Sequence, residues 1–148
     1  MSNDPVIVER SFNIPVHQVW TALTDREEMK KWYFDLKEFR PERGFKFDFT
    51  GGPPDGIQYI HHCEIIEALP DRKLSYTWQY EGYTGVSTVH FELFETEGQT
   101  HLKLTHEGLD SFPQDNPDLQ RSNFEKGWNE IINGSLKEYL ERENSLRS

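Results

Sequence analysis

The chain has 148 residues, of which 34% are hydrophobic and 14% aromatic, and it carries a formal net charge of −10. This length predicts a single domain over residues 1–148, built on one core. The acidic balance argues against binding to nucleic acid phosphates or anionic membrane surfaces, because such binding needs clustered Lys and Arg.

The cysteine content and the N-terminus bear on location. The single cysteine, Cys63, allows no disulfide within the chain, which favours a reducing compartment. The first residues lack a basic segment followed by an apolar one, and no window approaches the roughly 20 apolar residues of a membrane span. We therefore expect a cytoplasmic protein that is neither exported nor inserted into a membrane.

The N-terminal third predicts one strand and two short helices. Residues 6–12 are rich in β-branched and aromatic side chains and predict the first strand. From Val16 onward, apolar residues recur at helical spacing and predict a short amphipathic helix. Asp25 and Glu28 have the spacing of a capping box, which predicts a second short helix ending near Trp32.

The middle of the chain changes to alternating apolar and polar residues, interrupted by Gly and Pro turn signals. The predicted strands are 36–40, 44–50, 57–68, 72–80, 85–95 and 100–107. Short connections favour an antiparallel meander, and with the first strand the predicted sheet has seven strands. Val89, Phe91 and Leu93 share one face of their strand, which predicts a sheet covered on a single face.

The tail, residues 119–142, predicts the helix that covers this face. Its apolar stripe, at spacings of three and four, consists of Phe124, Trp128, Ile131, Ile132, Ser135, Leu136, Tyr139 and Leu140. At 1.5 Å per residue such a helix runs roughly 35 Å, enough to cross a small sheet. Gly127 and Gly134 each cost about 1 kcal/mol of helix stability relative to Ala, or they permit close approach of the helix to the sheet. Strands and helices together predict an α+β fold.

This order of elements is that of the helix-grip fold, and the sequence resembles the activator of heat-shock protein ATPase homologue family of the START-like (SRPBCC) superfamily. The segments that carry the resemblance are Ile14-Pro15-Val16, Val19-Trp20, Leu23-Thr24-Asp25, Lys31-Trp32-Tyr33, residues 69–78, residues 102–108 and Gly127-Trp128. No segment is specific alone, but their order and spacing span nearly the whole chain.

The resemblance implies an apolar cavity between the curved sheet and the long helix. It implies no common catalytic machinery, because members range from lipid carriers to cyclases and co-chaperones, and function lies in the site rather than the fold. The eukaryotic chaperone activators carry a separate N-terminal domain, whereas this sequence starts at the first predicted strand. Association with a chaperone or another protein therefore stays an alternative to ligand binding.

Aromatic residues on both predicted layers are the candidates for ligand contact. Tyr76 and Trp78 are two residues apart and project from the same face of their strand. With residues of the next strands and the tail helix, the predicted ligand-binding set is Tyr76, Trp78, Phe91, His106, Phe124, Trp128 and Ile131. Any single ring among them has a simpler interpretation, in which it only packs in the core, since buried Trp and Tyr are common.

His106 carries the alternative hypothesis of an enzyme. It follows Leu102 and Leu104 at period two, so it is expected on the covered face, where it could orient a ligand or serve as a general base. A core histidine satisfied by a neighbour explains the same pattern. We predict no catalytic residue and prefer a binding protein to an enzyme of cyclase or hydrolase type.

Three further sequence features bear on the pocket or on a metal site. Trp32, Tyr33 and Phe34 cluster after the second helix and are predicted at the mouth of the pocket. The loop 51–56 fits a lid or an ordinary hairpin turn. In residues 61–63, His61 and Cys63 share a face while His62 points away, which leaves two ligands where zinc takes three or four. No metal and no cofactor are predicted, and the expected partner is a small apolar or aromatic molecule.

Overall fold

The computed structural model describes residues 4–52 and 55–147. The strands are β1 (Val6–Phe12), β2 (Lys46–Gly51), β3 (Tyr59–Leu69), β4 (Lys73–Tyr80), β5 (Ser87–Thr96) and β6 (Gln99–Glu107). The helices are α1 (Val16–Thr24), α2 (Arg26–Trp32), α3 (Arg121–Glu130) and α4 (Lys137–Arg147), with a π-helical segment, Ile131–Leu136, between α3 and α4. Short 3₁₀ turns occupy Leu109–Ser111 and Pro117–Leu119.

The strands form one antiparallel sheet in the order β1-β6-β5-β4-β3-β2. Strands β2 to β6 follow the chain as a meander, and β1 pairs with β6, with Val8 opposite Leu104. The register between β3 and β4 shifts between Ile65 and Glu67. A bulge of this kind bends and twists a strand, so it supports the curvature of the sheet around the helix.

The sheet of the described residues has six strands, and the predicted seventh strand, residues 36–40, is wrong. This segment has no regular secondary structure and pairs with no strand. Its buried side chains, Leu36 and Phe39, are three residues apart, whereas a strand alternates at two. The Leu36 carbonyl accepts a 2.6 Å hydrogen bond from Nε of Arg26 instead of from a neighbouring strand.

The two predicted short helices are present as α1 and α2. Asp25 lies at the N-terminus of α2, and its carbonyl oxygen accepts the Met29 amide at 2.8 Å. Its side chain makes no capping hydrogen bond. The capping-box spacing therefore located the start of the helix correctly although the side-chain bonds of such a box are missing.

The predicted long C-terminal helix is confirmed as one continuous helical segment from α3 through α4. Its buried residues follow one another mainly at intervals of four: Phe124, Trp128, Ile132, Leu136, Tyr139 and Leu140. In a regular α-helix, steps of four turn the stripe by about 40° each. The π-helical segment widens the middle turns and keeps the stripe on the sheet. Ser135, predicted within this stripe, is exposed.

The core lies between this helix and the inner face of the sheet. Trp128 meets Trp78 edge to face with ring centroids 5.7 Å apart, and it meets Phe91 at 6.0 Å. Phe124 lies 6.5 Å from Tyr80. Within the described ranges, none of the helices combines the length and apolar character needed to cross a membrane.

Candidate functional site

A cleft of about 560 Å³ opens between α3 and the inner face of the sheet, near the β2–β3 connection. Its sheet side is formed by Tyr59, His61, Trp78 and Tyr80, and its helix side by Phe124, Gly127, Trp128 and Ile131. Phe34 and Gly51 lie at one end, and the charged residues Asp118, Lys126 and Glu130 also line it. We call this space the aromatic cleft.

The inner wall of the aromatic cleft is a cluster of interlocked rings centred on Trp78. Its indole meets His61 edge to face at 4.9 Å and Phe49 at 5.7 Å between ring centroids. Phe49 in turn stacks on His61 at 4.4 Å and on Phe34 at 4.0 Å. Since each ring contacts the next, the wall is a continuous aromatic surface.

His106 lies behind this wall in a closed hydrogen-bond chain. The hydroxyl of Ser87 donates to the carbonyl of Trp78 at 3.1 Å, so its oxygen accepts the Nε2–H of His106 at 2.7 Å. The Nδ1 atom accepts the indole N–H of Trp128 at 2.9 Å. Burial, together with the charge of His90, lowers the pKa of His106 to about 3, so this ring is neutral at pH 7.

His61 is also buried, but it faces the cleft. Its Nδ1–H donates to the backbone carbonyls of Tyr59 at 3.0 Å and of Phe49 at 3.3 Å. Burial lowers the pKa of His61 to about 4, against a smaller opposing effect of these carbonyls. The ring is therefore neutral, and its Nε2 atom carries a lone pair.

Tyrosine hydroxyls supply further polar groups in and beside the cleft. The hydroxyl of Tyr80 accepts the indole N–H of Trp78 at 2.8 Å, and burial raises the pKa of Tyr80. The hydroxyl of Tyr59 donates to Asp118 at 2.8 Å and accepts from Asn116 at 3.2 Å. The two hydrogen bonds of Tyr59 tie the turn before α3 to β3 and so define one edge of the cleft.

The predicted mouth residues differ in what they contact. Phe34 lines the aromatic cleft. The Tyr33 hydroxyl lies 2.7 Å from the Tyr76 hydroxyl, and the ring of Tyr33 stacks near Trp128 at 6.2 Å. Trp32 is buried and donates its indole N–H to the Ala22 carbonyl at 2.8 Å. A gating role for the three stays a prediction.

The structure also bears on two other sequence features near the cleft, residues 61–63 and the loop 51–56. In residues 61–63 the side chains alternate as predicted, with His61 and Cys63 buried and His62 exposed. Burial raises the pKa of the Cys63 thiol, which opposes a nucleophilic thiolate. Among residues 4–52 and 55–147, no three His, Cys, Asp or Glu side chains are placed to hold a metal ion. The loop 51–56 lies partly outside the described residues, at Pro53 and Pro54.

A second depression, of about 320 Å³, lies on the outer face of the sheet. Its polar lining residues are Lys46, Asp48, His62, Glu64, Thr77 and Gln79. None of these described side chains leaves a buried polar atom without a partner. Apart from Phe47 and Cys63 its lining is polar, so this groove lacks the predominantly apolar walls of a small-molecule site.

Residues 13–141 match the family described as Activator of Hsp90 ATPase homolog 1-like protein. The chain belongs to this family. The match covers the helix-grip elements from α1 to the first turn of α4 and leaves out β1.

Solved structures support the same fold for this member of the Activator of Hsp90 ATPase homolog 1-like family. Protein MLL2253 from Mesorhizobium loti is 28% identical, with a TM-score of 0.74 over 93% of this chain and 97% of that one. Protein CV1439 from Chromobacterium violaceum is 18% identical, with a TM-score of 0.78 over 95% and 99%. CalU16 from Micromonospora echinospora is 24% identical, with a TM-score of 0.69 over 94% and 77%. No curated protein matches the chain.

In this family member, the structure places the predicted ligand-binding residues in two layers. Trp78, Phe124, Trp128 and Ile131 line the aromatic cleft. The other three, Tyr76, Phe91 and His106, lie behind the lining in the core. Contact of a ligand with these three stays a prediction. Neither ring nitrogen of His106 is left for a guest, since both are hydrogen bonded within the core.

Sequence reasoning missed two residues that give the cleft its character. His61 was considered only as a metal ligand, although its alternation with Tyr59 and Cys63 places it on the covered face. For Gly127 the sequence suggests a weak point of the helix or a close approach of the helix to the sheet, and neither is a border of the cleft. In the structure a Cβ atom built at Gly127 meets nothing within 4 Å, so this glycine borders open space. The position of Gly127 on the apolar stripe was the sequence signal that could have indicated open space there.

Proposed function

We propose that the protein binds a small, flat, apolar molecule with aromatic character in the aromatic cleft. The volume of about 560 Å³ falls within the range of small-molecule sites, roughly 300 to 1,000 Å³. Rings of Phe34, Trp78, Phe124 and Trp128 supply the apolar walls, and a few polar groups remain to orient a guest. The single buried Cys63 supports a reducing compartment, such as the cytoplasm, as its place of action.

The unfilled space beside Gly127 is the observation that carries this proposal. Protein cores are close-packed, so a cleft bordered by rings and left open is a feature that needs a function. At Gly127 the open volume reaches the helix backbone itself, since nothing lies within 4 Å of a Cβ atom there. A side chain introduced at this position would occupy the cleft without first displacing the core.

The proposal can be tested by filling the space beside Gly127 with a large side chain. N-Phenyl-1-naphthylamine, a neutral dye whose emission rises in apolar surroundings, is titrated into the unmodified protein and into Gly127→Trp and Ser122→Trp. Ser122 lies on the same helix, is exposed and does not line the cleft, so it is the matched control. We expect binding by the unmodified protein and by Ser122→Trp, and loss of binding by Gly127→Trp.

Two outcomes would contradict the proposal. The dye could fail to bind the unmodified protein, or it could bind Gly127→Trp as tightly as the control variant. The second result would show that the dye occupies another surface. Circular dichroism of each variant checks that the helix is intact, because a variant that unfolds also loses binding.

A further inference from the structure

The aromatic cleft holds a hydrogen-bond acceptor without a donor, at Nε2 of His61. Carbonyl oxygens only accept, so the two carbonyls bound by Nδ1 fix the proton on that nitrogen and leave Nε2 bare. No described residue donates a hydrogen bond to Nε2. His61 as a residue is only 6% exposed, so little of its ring meets bulk water.

The free edge of the His61 ring opens on the cleft. Phe49 covers one face of the ring at 4.4 Å, and Trp78 meets it edge to face at 4.9 Å. The Nδ1 side is turned to the backbone of β2 and β3. The Cε1 atom, which joins the two nitrogens, lies 3.5 Å from a Cβ built at Gly51, a residue at the cleft end.

Beside His61, the hydroxyl of Tyr80 is a donor without an acceptor. An indole N–H only donates, so the bond from Trp78 at 2.8 Å uses a lone pair of the Tyr80 oxygen and leaves its proton available. No described residue accepts this proton. The ring centroids of Tyr80 and His61 are 4.8 Å apart, and both side chains line the aromatic cleft.

We propose that the cleft selects neutral hydroxylated aromatic molecules, whose hydroxyl donates to Nε2 of His61 and accepts from the hydroxyl of Tyr80. This inference rests on the proposed function and names its ligand class. A hydroxyl fits because one oxygen both donates and accepts. An ether accepts from Tyr80 but leaves the His61 lone pair unpaired, which is costly in a buried site.

Charge in the site disfavours the anionic counterpart. A carboxylate would direct its oxygens at the lone pair of neutral His61, and burial already removes the water that would solvate it. Asp118 and Glu130 also line the cleft, with Lys126 as the cation among its lining residues. Selection for a neutral guest follows from these groups together.

The test is displacement of N-phenyl-1-naphthylamine by three naphthalenes that differ in one substituent: 2-naphthol, 2-methoxynaphthalene and 2-naphthoate. For the unmodified protein at pH 7, we expect 2-naphthol to displace the dye at about a tenth of the concentration that the ether needs, as one buried hydrogen bond predicts. The carboxylate should compete least. The ratio of naphthol to ether is the quantity compared between variants.

Two variants remove one partner each. His61→Phe keeps a ring in the wall and removes the acceptor, and Tyr80→Phe removes a single hydroxyl. His61→Phe should bring the naphthol-to-ether ratio close to one while the ether still displaces the dye. Tyr80→Phe should weaken naphthol and ether alike and leave the ratio near ten, because both oxygens accept from the Tyr80 hydroxyl. If His61→Phe fails to fold, the loss of affinity for naphthol and ether in Tyr80→Phe still tests the contact.

The outcomes separate this inference from the proposed function. If ether and naphthol displace the dye equally well from the unmodified protein, the hydroxyl selection is overturned while ligand binding stands. A ratio that stays near ten in His61→Phe also overturns it, as do unchanged affinities in Tyr80→Phe, because these groups would then not be the ones that recognise the hydroxyl. If the unmodified protein binds no dye, both proposals fail.

Discussion

The indole nitrogen of Trp128 donates a hydrogen bond to Nδ1 of His106 across 2.9 Å, and this bond links α3 to β6. The acceptor ring is completely buried, and its other nitrogen is held by Ser87 at 2.7 Å. The helix that closes the aromatic cleft is therefore positioned by a polar contact as well as by apolar packing.

Trp128→Phe tests the contribution of this bond. Phenylalanine keeps an aromatic ring on the helix but has no donor, so Nδ1 of His106 is left buried and unpaired. We expect the free energy of unfolding in urea to fall by about 2 kcal/mol. A double-mutant cycle with His106→Phe should give a coupling energy of about 1 kcal/mol. Losses that simply add would show that the two side chains contribute independently.

The two buried histidines predict a stability that falls in mild acid. Burial lowers the pKa of His106 to about 3 and that of His61 to about 4, whereas an unfolded chain titrates near 6.5. Above that value both states are neutral and stability is unaffected. As the pH falls below it, the unfolded state binds protons that the folded state does not, so each ring lowers the unfolding free energy by up to about 1.4 kcal/mol per pH unit.

Urea unfolding at pH 7, 6 and 5 measures this effect. The stability difference between the unmodified protein and His106→Phe should shrink as the pH falls, because the variant lacks one of the titrating rings. Leu104→Ala is a control that removes buried surface without removing a charge. Its cost should be the same at each pH, and a constant cost for His106→Phe would contradict the assignment of a buried neutral ring.

Much of the fold could be predicted because the spacing of apolar residues indicates which side of a strand or helix is buried. The predicted strand 100–107 matches β6, Gln99–Glu107, and the tail pattern located the long helix. Residues 36–40 misled the prediction because Leu36 and Phe39 are buried by an irregular segment, whose carbonyl is satisfied by Arg26. The spacing of apolar residues cannot reveal that the Arg26 side chain, and not a neighbouring strand, satisfies the Leu36 carbonyl.

The site was less predictable, since its chemistry depends on pairing between strands. Trp78 and Trp128 could be assigned to the covered face from spacing alone. The acceptor at His61 could not, because its tautomer is set by the carbonyls of Tyr59 and Phe49, which come together only when β2 pairs with β3. Likewise, the sequence does not reveal that His106 is enclosed by Trp128 and Ser87.

The paired hydroxyls of Tyr33 and Tyr76 give a further prediction. They lie 2.7 Å apart, and burial raises the pKa of both well above its usual value. Either Tyr→Phe change leaves one buried hydroxyl without its partner, so each should cost about 1–2 kcal/mol in unfolding free energy. The double variant removes both hydroxyls and should cost less than the sum of the single changes.

Tyr83→Phe serves as the reference for this pair, since Tyr83 is 38% exposed and its loss of a hydroxyl should change stability by less than about 0.5 kcal/mol. Urea unfolding of all four variants gives the comparison. A double variant that costs as much as both single changes together would mean that the hydroxyls have separate partners.

Gly127→Ala should stabilise the protein, and Gly82→Ala should destabilise it, although both positions have no atom within 4 Å of a new Cβ. Gly127 lies within α3, where Ala is favoured over Gly by about 1 kcal/mol. Gly82 has φ of +82°, a left-handed conformation that costs a residue with a side chain about 1–2 kcal/mol. Calorimetry should show the melting temperature rising by about 3 °C for Gly127→Ala. A fall for Gly127→Ala would mean that the space beside the helix is occupied, and the aromatic cleft would then be too small for a guest.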